Sequence, residues 1–173
     1  MTYALVAILL IVAGILGFAA TRPDAFRLER SILIAAPADR IQPLIADFRS
    51  WRSWSPWENK DPGMTRTLSG AESGVGAAYA WDGNKDIGSG RMEILESSLE
   101  RILIKLDFLR PFEAHNVAEF TLRPEGQGTR VTWAMTGPQP FIGKLMSLVF
   151  SLERMVGPDF ETGLASLKRQ AEA

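Results

Sequence analysis

Residues 101–135 read RILIKLDFLRPFEAHNVAEFTLRPEGQGTRVTWAM, and their pattern indicates the architecture of the whole chain. Apolar and polar residues alternate in three successive runs, which are separated by turn signals at Arg110-Pro111 and at residues 125–128. A period of two residues is typical of strands with one buried face. Parallel strands need long crossover connections, so strands joined this closely predict an antiparallel sheet.

The same period of two residues predicts four further strands earlier in the chain. They cover residues 26–34, 64–68, 78–81 and 91–94. After the first of them, residues 36–39 (APAD) start a helix with a proline in its first turn. Trp51 and Trp54 are three residues apart and indicate a second short helix, which we expect to end at Ser55-Pro56.

An apolar stripe at helical spacing predicts a long C-terminal helix. Its members recur every three or four residues: Leu145, Val149, Leu152, Val156, Phe160, Leu164 and Leu167. Gly157-Pro158 interrupts the stripe, so we expect a kink or a two-piece helix there, because proline removes a backbone donor. The complete order of one strand, two short helices, six strands and a long helix predicts an α+β domain.

The N-terminal segment is a candidate membrane span. Residues 3–20 carry no charged side chain, and as a helix they would extend roughly 27 Å, close to the ~30 Å hydrocarbon core of a bilayer. We therefore expect residues 1–22 to be a retained membrane anchor. A cleaved signal peptide remains the alternative, since residues 17–19 could form a cleavage site with small residues. Against it, no basic side chain precedes the apolar stretch, as a signal peptide normally requires.

Basic residues directly after the apolar segment bear on its orientation. Arg22, Arg27 and Arg30 follow within ten residues of its end. Positive charge beside a membrane span tends to remain in the cytoplasm, so these arginines favour a cytoplasmic domain. We expect a single-pass protein of the bacterial inner membrane.

The composition excludes several classes of function. The net charge is −1 and no block of basic residues occurs, which argues against a nucleic-acid partner. The chain has no cysteine and one histidine, His115, so disulfide, structural zinc and iron–sulfur chemistry are not expected. We predict neither a cofactor nor a metal site.

Several short stretches resemble one known superfamily. They are residues 29–32, 36–38, 51–58 (WRSWSPWE), 74–76, 79–84, 88–92 and 132–137. On these stretches the chain resembles the SRPBCC superfamily, also called START/Bet v 1-like or polyketide cyclase/dehydrase-like. It is most similar to a bacterial subgroup that carries an N-terminal hydrophobic helix. The resemblance covers residues 26–171, which we expect to form one ligand-pocket domain.

This resemblance implies a helix-grip fold, in which a curved antiparallel sheet wraps a long C-terminal helix and an apolar cavity lies between them. We expect ten large side chains to line that cavity: Trp57, Tyr79, Trp81, Met92, Phe108, Phe120, Trp133, Met135, Met146 and Phe150. The aromatic rings could stack on a ring-shaped ligand, and the methionines could adapt to its shape. Ordinary core packing is the competing interpretation of the same residues.

Three functions remain open at this point. The favoured one is a membrane-tethered carrier of a hydrophobic small molecule, such as a lipid, a quinone or a polyketide-like compound. The first alternative is a cyclase or hydrolase in which Tyr79, Arg91 or His115 polarises a substrate, although His115 lies off the apolar face and is expected to point outward. The second is a protein-interaction module, like the chaperone activators of the superfamily, whose groove is filled by its own side chains.

Overall fold

Seven antiparallel strands form one sheet in the computed structural model, which describes residues 2–173. The strands are β1 (Ala25–Ile34), β2 (Thr65–Gly70), β3 (Ala77–Asp82), β4 (Ser89–Ser97), β5 (Arg101–Arg110), β6 (Ala114–Glu125) and β7 (Gly128–Pro138). Their spatial order is β1-β7-β6-β5-β4-β3-β2, which places the first and last strands side by side. Two register shifts between β4 and β5 contribute to the bending of the sheet. The predicted α+β class and antiparallel sheet are confirmed.

The sheet has two distinct ends. The first residue of β1 (Ala25) pairs with the last of β7 (Pro138), and the turn between β5 and β6 lies at the same end. Helix α1 (Thr2–Ala20) joins β1 there through residues 21–24. We call this end of the sheet the α1 end.

Three short helices follow β1. They are α2 (Ala38–Ala46), a 3₁₀ helix (Phe48–Ser53) and α3 (Pro56–Lys60). The indole nitrogen of Trp51 donates to the carbonyl of Ile45 at 2.9 Å, which fixes the 3₁₀ helix against α2. The predicted second helix is this 3₁₀ helix, and it ends at Ser53, just before Ser55-Pro56, as expected. The sequence did not predict α3, whose first residue is Pro56. Proline is well tolerated there, since the first turn of a helix needs no backbone donor.

The C-terminal apolar stripe forms two helices, α4 (Phe141–Met146) and α5 (Leu152–Glu172). The sequence placed the interruption at Gly157-Pro158, but it lies at residues 147–151, and Pro158 lies inside α5. The Ser151 side chain accepts a hydrogen bond from the backbone amide of Arg154 and so starts α5 upstream of the proline.

Helix α5 packs on the concave face of the sheet. Its residues Phe160, Leu164 and Leu167 are fully buried. On β1, the Arg30 guanidinium contacts Glu153 at 2.6 Å and Glu161 at 2.7 Å, and both carboxylates belong to α5. The predicted arrangement of a curved sheet around a long C-terminal helix is therefore confirmed.

Helix α1 projects from this domain and is exposed along nearly its whole length. By length and composition it is the one helix among residues 2–173 that qualifies as a candidate membrane span. Its last turn packs against α4, where Ala19 is completely buried. The Asp24 carboxylate, just after α1, accepts a hydrogen bond from Lys144 of α4 at 2.6 Å.

Candidate functional site

A stack of aromatic rings joins the sheet to α5. Trp133 of β7 lies between Phe120 of β6 and Phe160 of α5, with ring centroids 4.9 and 4.2 Å away. Gly163 of α5 allows this close approach, because a Cβ there would come within 2.9 Å of the Trp133 ring. The centre of the helix grip is thus filled by side chains.

The indole nitrogen of Trp133 is buried without a hydrogen-bond partner, which distinguishes it from the other buried side-chain polar atoms of the described residues. An unpaired buried donor costs on the order of 1–3 kcal/mol. Trp133 is therefore held by ring packing against its neighbours.

The WRSWSPWE segment closes the far side of this stack. Trp51, Trp54 and Trp57 each meet the Trp133 ring edge-on, at centroid distances of 6.4, 5.7 and 5.5 Å. Edge-to-face contact is a favourable geometry between aromatic rings. Of the predicted lining residues, Trp57, Phe120 and Trp133 are therefore brought together, and they pack mainly on one another.

A buried polar network lies beside this cluster. The Tyr79 hydroxyl donates to Glu58 Oε1 at 2.9 Å, and the Arg66 guanidinium contacts Glu58 Oε2 at 2.6 Å. Glu58 is only 8% exposed. Burial raises the pKa of Tyr79, and the negative charge of Glu58 raises it further. The hydrogen bond to Glu58 also raises the pKa of Arg66.

This network was missed in the sequence. Glu58 is the last residue of the WRSWSPWE stretch, but its two partners come from β2 and β3, whose pairing no local pattern reveals. The three charged or polar groups hold α3 against the edge of the sheet. Their hydrogen bonds are satisfied within the protein.

A second group of predicted residues lies toward the α1 end of the same concave face. Trp81 and Phe108 are half-buried, with ring centroids 5.8 Å apart in an edge-to-face contact. Gly90 makes room for the Trp81 ring, since a Cβ there would lie 2.4 Å from it. Leu106, two residues before Phe108 on β5, is likewise half-buried. We call Trp81, Leu106 and Phe108 the rim.

Two methionines and one amide lie deeper than the rim. Met92 and Met135 are buried on β4 and β7. The buried side-chain amide of Asn116 on β6 donates to Met135 Sδ at 3.9 Å, and sulfur is a weak acceptor. Asn116 was missed in the sequence, where its position on the inward face of β6 was the available signal.

Met146 and Phe150 lie apart from the other eight predicted residues. Met146 ends α4 and Phe150 lies in the break before α5, and they are 51% and 57% exposed. The helix break at residues 147–151 turns this part of the apolar stripe away from the sheet. The structure therefore does not bring these two side chains to the concave face.

Two surface clefts, of about 230 and 330 Å³, flank the glycine loop between β2 and β3. The first is lined by Phe48, Leu68, Gly70 and Glu72 among others, and the second by Gln42, Asp47, Ser50 and Gly74 among others. Neither cleft is lined by any of the ten predicted residues.

The polar candidates for catalysis do not converge. His115 is exposed on the convex face, as expected, with Nδ1 2.8 Å from Asp107 Oδ1; the hydrogen bond to Asp107 raises the histidine pKa. Arg91 is also exposed and pairs with Glu93 at 3.3 Å. Tyr79 is buried in the network with Glu58. Within the described part of the chain, no cluster of three or more histidine or acidic side chains could hold a metal ion.

Comparison with known proteins gives three kinds of result. The model of the family described as polyketide cyclase / dehydrase and lipid transport matches residues 25–172. A comparison with curated proteins found no significant match.

Solved structures share the fold at low sequence identity. A protein from Chromobacterium violaceum is 18% identical, with a TM-score of 0.60 over 88% of this chain and 99% of its own. The Aha1 dimer from Colwellia psychrerythraea gives 15% identity and a TM-score of 0.61 over 85% and 96% of the two chains. The di-domain ARO/CYC StfQ, from the steffimycin biosynthetic pathway, gives 14% identity and a TM-score of 0.63. That match covers 86% of this chain and 51% of StfQ.

Proposed function

Because the chain belongs to the polyketide cyclase / dehydrase and lipid transport family, we propose that it binds a hydrophobic small molecule while tethered to a membrane. The ligand class is a lipid, a quinone or a polyketide-like compound. Residues 1–22 serve as the anchor and residues 26–171 as the binding domain. Arg22, Arg27 and Arg30 favour a domain on the cytoplasmic side of a bacterial inner membrane.

The uneven burial of the concave face carries this proposal. The half built on Phe120, Trp133 and Phe160 is fully packed, whereas the rim leaves Trp81 and Phe108 half-exposed. Burying apolar surface contributes about 25 cal/mol per Å², so an apolar ligand gains most where rings remain partly exposed. We place the ligand against the rim, between the sheet and the start of α5.

The groups below the rim suit such a ligand. Met92 and Met135 have flexible, polarizable side chains that can repack around an apolar molecule. The Asn116 amide makes a weak bond to sulfur and can exchange it for a stronger bond to a carbonyl or hydroxyl of the ligand. Apolar sites commonly hold one or a few polar groups that set orientation.

The remaining predicted residues have secondary roles in this proposal. Trp57, Tyr79, Phe120 and Trp133 form the inner limit of the site. Met146 and Phe150 reach a ligand only if the segment around residues 147–151 moves toward the sheet. That movement would act as a gate, and it would bury side chains that are now exposed.

Native mass spectrometry of the full-length chain, followed by identification of any bound molecule, tests the proposal. We expect a stoichiometric apolar passenger on the natural chain. Phe108→Asp places a charge at the rim and should remove the passenger. Leu99→Asp, an exposed position outside the concave face, is the matched control and should retain it. Equal passenger content in both folded variants would contradict the site.

A protein-interaction module is the second candidate. The observation that favours it is the aromatic stack, because it fills the centre of the grip with the protein's own side chains. Under this alternative the natural chain carries no passenger in any preparation. The cyclase or hydrolase alternative would be favoured if two or more of Tyr79, Arg91 and His115 converged inside a cavity. Tyr79 is buried on the concave side, whereas Arg91 and His115 are exposed on the convex face.

A further inference from the structure

Exposed apolar side chains outside α1 concentrate at one end of the molecule. At the α1 end they are Leu109, Phe112, Phe141, Ile142, Met146, Val149, Phe150 and Met155. Elsewhere among the described residues the large exposed ones are Leu33, Leu68, Val75, Leu95 and Leu99. Every phenylalanine in these two sets lies at the α1 end. Single exposed apolar residues are ordinary, but a concentration of them at one end of a molecule indicates an interaction surface.

This group comes from two separate parts of the chain. Leu109 and Phe112 belong to the end of β5 and the turn that follows it. The other six lie on α4, in the break at residues 147–151 and on the first turn of α5. We call the turn at residues 111–113 together with residues 141–150 the docking face.

The attachment of α1 fixes where this face lies relative to a membrane. Only residues 21–24 separate α1 from β1, and four residues extend at most roughly 14 Å. The linker is further held on α4, because Lys144 Nζ lies 2.6 Å from Asp24 Oδ1. The backbone amide of Gln139 also donates to the Asp24 carbonyl at 2.7 Å. Since Ala19 is buried against α4, that helix lies beside the last turn of α1.

We infer that the docking face inserts into the interface of the same bilayer that α1 spans. The inference rests on the membrane tether of the proposed function and adds a second contact with the same bilayer. Once α1 is in the bilayer, its last turn lies at the membrane surface, and α4 lies there with it. Aromatic and aliphatic side chains at that depth leave water without needing a protein partner.

Continuity with α1 selects the bilayer over other occupants. A second copy or another protein would have to bind where the bilayer already begins, at the last turn of α1. Unlike a protein partner, a bilayer needs no surface of complementary shape. The docking face is irregular and consists of a short turn, a six-residue helix and a helix break.

The docking face also bears on how a ligand would reach the rim. Phe108 of the rim lies two residues from the end of β5, so the site opens toward the membrane surface.

The test uses the absence of cysteine from the chain, which allows single labels at chosen positions. Phe112→Cys and Phe150→Cys report on the docking face, and Val75→Cys and Leu99→Cys are matched exposed controls elsewhere. Each full-length variant carries an environment-sensitive fluorophore and is reconstituted in phosphatidylcholine–phosphatidylglycerol vesicles that contain nitroxide-labelled lipid. We expect several-fold stronger quenching at positions 112 and 150 than at 75 and 99.

Each other result overturns the inference in a recognisable way. Equal quenching at all four positions, in chains that remain membrane-bound after an alkaline wash, overturns the docking face and leaves the tether intact. Signals at positions 112 and 150 that depend on protein density and ignore the nitroxide lipid identify a second copy as the occupant. Loss of the chain from the vesicles overturns the tether and the docking face together. Ligand content, measured on the same samples, reports separately on the binding function.

Discussion

Trp133 lies face to face on Phe160, with ring centroids 4.2 Å apart and planes 12° apart, so one aromatic pair joins the sheet to α5. Phe120 continues the stack on the other side of Trp133. The three rings come from residues separated by up to forty positions in sequence. They fill the centre of the space between the sheet and α5, where the family resemblance implied an apolar cavity. The stability of the domain should therefore depend strongly on these rings.

Phe160→Ala is expected to lower the free energy of unfolding by about 3–5 kcal/mol, because it removes a fully buried ring and leaves a cavity. Phe112→Ala, at a position that is 79% exposed, is the control and should change stability by less than about 0.5 kcal/mol. Urea denaturation followed by tryptophan fluorescence measures both. A small effect at Phe160 would mean that the stack contributes little to stability.

The architecture of the sheet was predictable because each strand carries its own period of two residues, as in Ile102 to Phe108. The helix boundaries were less so. The second short helix ends just before Ser55-Pro56, as expected, but the further helix that starts at Pro56 was not predicted, and Pro158 lies within α5 instead of dividing it. Pro56 occupies the first turn of α3, where no backbone donor is needed, whereas Pro158 lies in the interior of α5 and removes one backbone donor there without ending the helix.

The candidate site was predictable only as a set of apolar positions. Alternation placed Phe108, Phe120 and Trp133 on one face, and the structure agrees. Alternation gives no information on which rings pack against one another and which remain half-exposed, since that depends on where α5 crosses the sheet. The exposed position of Met146 follows from the helix break, which the continuous apolar stripe concealed.

Tyr79 gives a prediction at alkaline pH. Its folded-state pKa is raised above the ordinary value of about 10, so the neutral hydroxyl contributes stability that is fully present below pH ~10. That contribution is lost as the pH rises further. The free energy of unfolding of the natural chain should therefore fall more steeply above pH ~10 than that of Tyr79→Phe, which cannot ionise there.

Denaturant unfolding of the two proteins at a series of alkaline pH values measures this difference. At neutral pH we expect Tyr79→Phe to be less stable by about 1–3 kcal/mol, because Glu58 loses a buried donor. If the free energy of unfolding fell equally with pH in both proteins, ionisation of the Tyr79 hydroxyl would not be coupled to folding.

His115 gives the corresponding prediction near neutrality. Its pKa is raised by the hydrogen bond to Asp107 across the β5–β6 pair, so the charged imidazole stabilises the folded state. This stabilisation is present below pH ~6.5 and is lost as the pH rises through the folded-state pKa. His115→Gln should be less stable than the natural chain in mild acid, with the difference fading at alkaline pH. A difference that is constant across the range would contradict the assignment.

The orientation of the anchor predicts which introduced cysteines a membrane-impermeant reagent can label in intact cells. Arg22, Arg27 and Arg30 follow α1, so the domain should be cytoplasmic and Tyr3 should lie toward the opposite surface. Val75→Cys, 61% exposed on the domain, should react with a membrane-impermeant maleimide only after the cells are lysed, whereas Tyr3→Cys should react in intact cells. The reverse pattern would place the domain outside the cytoplasm. A purified chain whose intact mass lacks the first twenty or so residues would identify α1 as a cleaved signal peptide, because a retained anchor must appear in the mass of the mature protein.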